Sequence, residues 1–238
     1  NSLYHFGDSY ATVNLKNIEN EHFCKIIAKT LNLQYKPFGI GGLPNEWILK
    51  KILQNIFQYK KGDIIFINFS FLERGLYYDF YTNQCESTSL YYNDITKKLS
   101  FEHVKTKLGK EHVPYLINYY LKNTEDYNRR IFDLINITLT QILQKGVSIY
   151  YIFAGNNSYE DKLLSVGTNI SFEGGFSNWL IKHNLHNEED VHYTKGIQPM
   201  LADGLLKKLD NFTNNTKKIQ IEIDDMDFKK ISKGETLI

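Results

Sequence analysis

The sequence predicts an α/β protein, a three-layer α/β/α sandwich around a central, mostly parallel sheet. Two observations carry this. Short apolar runs of β-branched and aromatic residues, Ile64 to Phe69 above all, read as strands buried on both faces. Between them lie stretches with apolar residues at helical spacing, and strand–helix alternation implies βαβ crossovers and a parallel sheet.

The elements follow in order. Leu3 to Phe6 is a short strand that stops at Gly7-Asp8-Ser9. A helix follows, with Ile18, Phe23, Ile26, Ile27 and Leu31 on roughly one face. Gln34 to Phe38 is a second strand running into Gly39-Ile40-Gly41-Gly42. Pro44 suits the first turn of a helix carrying Trp47, Ile48, Ile52, Leu53, Ile56 and Phe57, which Gly62-Asp63 ends. Tyr127 to Gln144 repeats the helical pattern, Gly146 stops it, and Val147 to Phe153 is another strand. The last helix runs from about Gln198 to Leu209, with Pro199 in its first turn and Leu201, Leu205 and Leu209 on one face.

Two segments break the rhythm. Residues 75–122 are Tyr-rich without a clean period, and read as a partly helical insertion near the mouth of a site. The domain therefore spans residues 1–212, and 213–238 form an extension. In that extension Ile219, Ile221 and Ile223 alternate with polar residues, suggesting one added strand before a charged tail.

Composition narrows the function. Of 238 residues, 42% are hydrophobic and 23% charged, ordinary globular values that exclude disordered and fibrous classes. A net charge of +1, from 28 basic and 27 acidic residues, removes the electrostatic argument for nucleic acid or anionic membrane. The two cysteines, Cys24 and Cys85, cannot build a disulfide framework, and no motif has metal-ligand spacing. No Gly-rich phosphate loop with Lys is present, so neither metal nor cofactor is expected. No apolar run approaches the ~20 residues of a membrane helix. The expectation is a soluble protein, with the cytoplasm ahead of other compartments and the oligomeric state open. The chain opens without Met, almost inside its first motif, and is expected to be trimmed from a longer product that could have carried a signal peptide.

In a parallel α/β sheet, sites form at the C-terminal ends of strands. Ser9 follows the first strand and precedes the first helix, where a backbone N–H at a helix start stabilises developing negative charge. The plainer reading is a Ser cap after a tight turn. Glu189-Asp190-Val191-His192 forms a loop just before the last helix. A serine nucleophile needs a base, and the base needs a carboxylate to fix its tautomer. A carboxylate two or three residues before a His can supply that locally, and both Glu189 and Asp190 qualify. An exposed loop His is the alternative.

The Phe6-Gly7-Asp8-Ser9-Tyr10 segment and the Glu189-Asp190-Val191-His192 block resemble the first and last blocks of the SGNH (GDSL-type) hydrolase superfamily, in the same order along the chain. The resemblance covers about residues 3–210 apart from the insertion. It implies a flavodoxin-like three-layer fold and a catalytic triad of Ser9, His192 and an acid. Asp190 leads on residue type and Glu189 on the family's Asp-x-x-His spacing. In that family a glycine N–H and an asparagine side chain join the serine N–H in an oxyanion hole. Gly39-Ile40-Gly41-Gly42-Leu43-Pro44-Asn45 resembles the glycine block, with Gly42 first and Gly41 second. The third block, Gly-x-Asn-Asp, is missing. The third strand ends instead in Asn68-Phe69-Ser70-Phe71-Leu72-Glu73-Arg74, which resembles a variant branch with a small hydroxyl residue and an Arg in this turn. Ser70 is then the candidate donor, ahead of Asn68.

Asp8, Asn45 and Arg74 complete the substrate side, although a surface ion pair ranks ahead of substrate contact for Arg74. Gly155-Asn156-Asn157 reads as a turn at the same edge, and Trp47 and Trp179 read as core or cap residues. The resemblance implies a serine-dependent ester hydrolase removing O-acetyl or another short acyl group from a carbohydrate, with a small-molecule or glycan ester as its partner. The alternatives are an O-acyltransferase using the same triad with a sugar hydroxyl as acceptor, and a non-catalytic glycan- or partner-binding module.

Overall fold

The computed structural model describes residues 1–8, 11, 22–72, 74–79, 84–93, 98–102, 113–155, 162–172, 175–187, 190–193, 197–212 and 219–220. For 75–124, 171, 186–193 and 208–220, only the backbone elements are described.

Six strands form the main sheet: β1 (Ser2–Gly7), β2 (Gln34–Gly39), β3 (Ile64–Phe69), β7 (Ser148–Phe153), β8 (Thr168–Ser171) and β11 (Ile219–Gln220). Their order is β11-β8-β7-β3-β1-β2, and every pairing is parallel. The inner order, second strand beside the first and the first beside the third, is that of doubly wound flavodoxin-like sheets. Ligands in such sheets bind at the carboxyl ends where the chain reverses its winding, here between β1 and β3.

Period-two alternation sorts each strand between two cores. Tyr4 and Phe6 of β1, Ile65, Ile67 and Phe69 of β3, and Tyr151 and Phe153 of β7 face one side. That side is covered by α2 (Asn45–Gln54) and α3 (Val113–Leu143), through residues such as Ile48, Ile52, Phe132 and Leu139. Leu3, Phe66 and Ile152 face the other side, under α1 (Phe23–Thr30), α4 (Phe176–Lys182) and α5 (Ile197–Phe212). The three-layer sandwich is therefore present. Trp179, fully buried on α4, is a core residue as expected, and each such side chain contributes roughly 1.5–3 kcal/mol by leaving water. Trp47 is only partly buried, with the Lys51 ammonium 5.1 Å above its ring.

Three expectations are corrected, and the insertion gains strands beside its helical part. Among the described residues, the insertion contains β4 (Arg74–Asp79), β5 (Gln84–Asn93) and β6 (Lys98–Glu102), an antiparallel meander, and its last residues, from Val113, are helical. The helix expected from Tyr127 starts at Val113, with Pro114 in its first turn where a missing N–H costs nothing. The acid–histidine block is no plain loop, because β10 (Asp190–Tyr193) pairs antiparallel with β9 (His186–Asn187). Helix α1 begins at Phe23, where the His22 side chain accepts the Cys24 N–H, and Ile18 lies outside the described residues. In the extension only Ile219 and Gln220 are described, and they pair with β8. Among the described residues, no helix is long and apolar enough to cross a membrane.

Candidate active site at the ends of β1 and β3

The end of β1 is shaped by a missing side chain. Gly7 lies opposite Asn68 of β3, and a Cβ there would come within 2.7 Å of the Asn68 Cβ and 2.8 Å of the Ala11 Cβ. A Cβ on Gly39, at the end of β2, would collide with the Ala11 carbonyl. Only glycine at both positions lets the chain after β1 fold back between its neighbours. The return is fixed by the Ala11 N–H donating to the Asp8 carbonyl at 3.0 Å, and by the Ile40 N–H donating to the Gly7 carbonyl at 3.1 Å. Ser9 follows Asp8 in this stretch and itself lies outside the described residues.

Beyond Gly7, charge takes over from packing. Asp8 is fully buried, and its Oδ2 accepts from the Arg74 Nη1 at 2.9 Å and from the Ser70 hydroxyl at 3.3 Å. The same Arg74 nitrogen donates to Ser70 Oγ at 2.9 Å, so the three side chains close a triangle. The Arg74 guanidinium stacks 5.0 Å from the Phe71 ring, and its side chain is only 16% exposed. The expected surface ion pair is thus a largely buried one. Burial removes solvent screening, so this pair is held far more firmly than a surface pair.

Asn45, the buried first residue of α2, joins the second block to the third. Its Oδ1 accepts the Ser70 N–H at 2.8 Å, and its Nδ2 donates to the Ser70 carbonyl at 3.2 Å. This reciprocal pair satisfies the backbone of Ser70 where β3 has just ended. Gly42 sits in the turn before α2 with φ +78°, a left-handed conformation that favours glycine, and open space surrounds its Cα. Gly41 is exposed beside it.

The remaining predicted site residues are placed less fully. Asp190 and His192 belong to β10, described as backbone only, and Glu189 lies outside the described residues. Gly155 follows the end of β7 at the same sheet edge, while Asn156 and Asn157 lie outside the described residues.

Asn68 does not point to this cluster. It serves a second buried polar group on the α1 side of the sheet, which sequence reasoning missed. His5, fully buried on β1, donates from Nε2 to Asn68 Oδ1 at 2.9 Å, and its Nδ1 accepts from the Tyr35 hydroxyl at 3.0 Å. Burial, reinforced by the neighbouring His22, holds the His5 pKa well below its ordinary value. Burial likewise raises the pKa of the Cys24 thiol and the Tyr35 phenol. The sequence signal was a histidine at a core-facing position of an apolar strand. One donor atom from each of His5, His22 and Cys24 lies within 4.8 Å of the other two. Both ring nitrogens of His5 already make hydrogen bonds, so a metal ion taking His5 as a ligand would have to displace Tyr35 or Asn68. Two buried amide nitrogens, Asn68 Nδ2 and Gln198 Nε2, have no hydrogen-bond partner among the described residues, although Gln198 Oε1 accepts the Phe23 N–H.

No family model matches the chain. No curated protein matches it in sequence. Solved structures similar to it include the YXIM protein of Bacillus subtilis, at 10% identity and TM-score 0.49, covering 91% of this chain and 58% of that one. A lipolytic G-D-S-L family member from Veillonella parvula aligns at 12% identity and TM-score 0.43, over 90% of this chain and 99% of its own. The acetyl xylan esterase Est2A of Butyrivibrio proteoclasticus aligns at 11% identity and TM-score 0.44, over 89% of this chain and 64% of its own. This chain therefore spans under two thirds of the length of the first and third of these.

Proposed function

We propose that the chain is a serine-dependent ester hydrolase of the SGNH type. The observation that carries the reading is the construction of the turn after β1. Gly7 and Gly39 admit it, Asp8 is locked to Ser70 and Arg74, and it stands at the switch point between β1 and β3 where doubly wound sheets bind ligands. The next residue in the chain is Ser9.

In this reading Ser9 Oγ attacks the acyl carbonyl carbon while His192 Nε2 takes its proton. The tetrahedral intermediate collapses, His192 protonates the departing alkoxide, and the acyl group stays on Ser9. Water then attacks the acyl-enzyme through the same base, releasing the carboxylic acid and restoring Ser9. Asp190, or Glu189 one residue earlier, orients His192 and stabilises its imidazolium. The N–H groups of Ser9 and Gly42 receive the oxyanion. Ser70 would add a third donor only by turning its hydroxyl from Asp8 to the substrate, and Asn45 supports Ser70 from behind. A short acyl ester on a carbohydrate is the proposed substrate.

The test is release of p-nitrophenol from short-chain esters, and of acetate from acetylated oligosaccharides, by the wild type and Ser9→Ala. Turnover that falls at least about 10³-fold in Ser9→Ala supports the reading. Equal turnover in both proteins, or none in a folded wild type, overturns it.

A further inference from the structure

Every named donor around Ser70 is already committed, and that commitment assigns Arg74 a task. The Ser70 N–H goes to Asn45 Oδ1, the Ser70 hydroxyl proton to Asp8, and the Asn45 amide N–H to the Ser70 carbonyl. Asp8 and Ser70 meet directly through that hydroxyl, and Arg74 braces the contact at shorter distances, through one nitrogen that reaches both. We infer that Arg74 is a positioning residue for the nucleophile turn: its guanidinium, acting through Asp8 and Ser70, holds the β1 end in register with the β3 end and so fixes where Ser9 presents its hydroxyl and N–H. This rests on the hydrolase reading above for its catalytic consequence, but the clamp itself does not.

The physics favours a clamp over a substrate contact. The Asp8 carboxylate neutralises the guanidinium at 2.9 Å, so little net charge remains to attract an acidic substrate. The stacking on Phe71 fixes the plane of the fork, which an ammonium could not reproduce. Asp8 is adjacent to Ser9 in the chain, so loosening Asp8 displaces the reacting atom directly. A misplacement of about 1 Å at the reacting atom costs on the order of 10²-fold in rate.

The experiment separates positioning from folding. Arg74→Met alone takes the counter-charge from the buried Asp8 carboxylate, so it is paired with the double variant Asp8→Asn/Arg74→Met, which removes both charges. Melting temperature, kcat and KM on p-nitrophenyl acetate, and amide hydrogen exchange over residues 7–11 and 68–71 are measured for both variants, for Arg74→Lys and for the wild type. The expected result is a double variant that recovers most of the melting temperature lost by Arg74→Met, yet keeps a kcat depressed about 10²-fold with KM within about threefold of wild type. Exchange at 7–11 is faster in it, while β7 stays protected. Arg74→Lys restores part of kcat. Wild-type kcat and unchanged exchange in the double variant overturn the inference. If the wild type hydrolyses no ester, the hydrolase reading falls, and the exchange data alone decide the clamp: unchanged exchange overturns it, faster exchange supports it.

Discussion

Strands β1 and β3 carry two buried polar groups on opposite sides, and the two are built by different rules. Toward α2, at the strand ends, Asp8, Ser70 and Arg74 join a full negative and a full positive charge. Toward α1, further back along the strands, His5, Tyr35 and Asn68 are joined as neutral groups, and burial holds the histidine uncharged. Ions are tolerated where a stacked fork and hydroxyl complete the pairing, and neutrality is imposed where only an amide and a phenol are available. The charged group ties the end of β1 to the end of β3, and the neutral group behind it ties β1 to both its neighbours.

The comparison can be broken most severely on its charged side. Arg74→Met removes the ion-pair partner of the buried Asp8 carboxylate, and should cost about 3 kcal/mol of unfolding free energy in urea melts. A loss below about 1 kcal/mol would show the pair to be solvated after all. Gly39→Ala forces a methyl against the Ala11 carbonyl and should cost about 2 kcal/mol, with ester turnover falling alongside because the turn after β1 moves. Unchanged melting would mean that Ala11 yields freely.

On the neutral side the effects are smaller and depend on pH. His5 has a folded pKa below its ordinary 6.5, so the unfolded chain binds the extra proton as pH falls through that value. Its contribution is complete above about pH 7 and is lost progressively below 6.5. His5→Gln, which keeps a hydrogen-bonding side chain toward Asn68, should therefore reduce the fall in melting temperature between about pH 7 and pH 5 by a few degrees. An identical acid limb in the variant would show that His5 is protonated in the fold. The mildest effect is kinetic. Cys24 is buried with a raised pKa, so in a Cys85→Ser background it should react with a disulfide reagent at least about 10²-fold more slowly in the native protein than in urea. Equal rates would open the neutral group to solvent.

What could be read from residues alone follows the same division. The parallel strands were legible because burial on both faces leaves continuous apolar runs such as Ile64-Ile65-Phe66-Ile67, and no competing pattern looks like that. The meander was not, because β5 contains Glu86-Ser87-Thr88-Ser89, polar residues that join a strand through cross-strand partners rather than their own periodicity. Strands β9 and β10 are too short to show any period. At the site, Asp8, Ser70, Arg74 and Asn45 were each legible as candidates in segments that follow strands, Ser70 through the family resemblance. Their mutual bonding was not, since Arg74 and Asp8 stand 66 residues apart and only the return of β3 beside β1 makes them neighbours.

The pairing of β11 with β8 has a consequence for association. A parallel sheet ends in two rows of unpaired backbone groups, each able to template a foreign strand. On the β2 side, Pro37 removes one donor and Lys36 adds a charge that discourages stacking. On the β8 side, the described residues of β11, Ile219 and Gln220, pair with Ile170 and Ser171 and come from far along the chain. Shortening the protein to residue 212 would remove those pairings from the β8 margin, and the shortened form should self-associate at concentrations where the full chain does not.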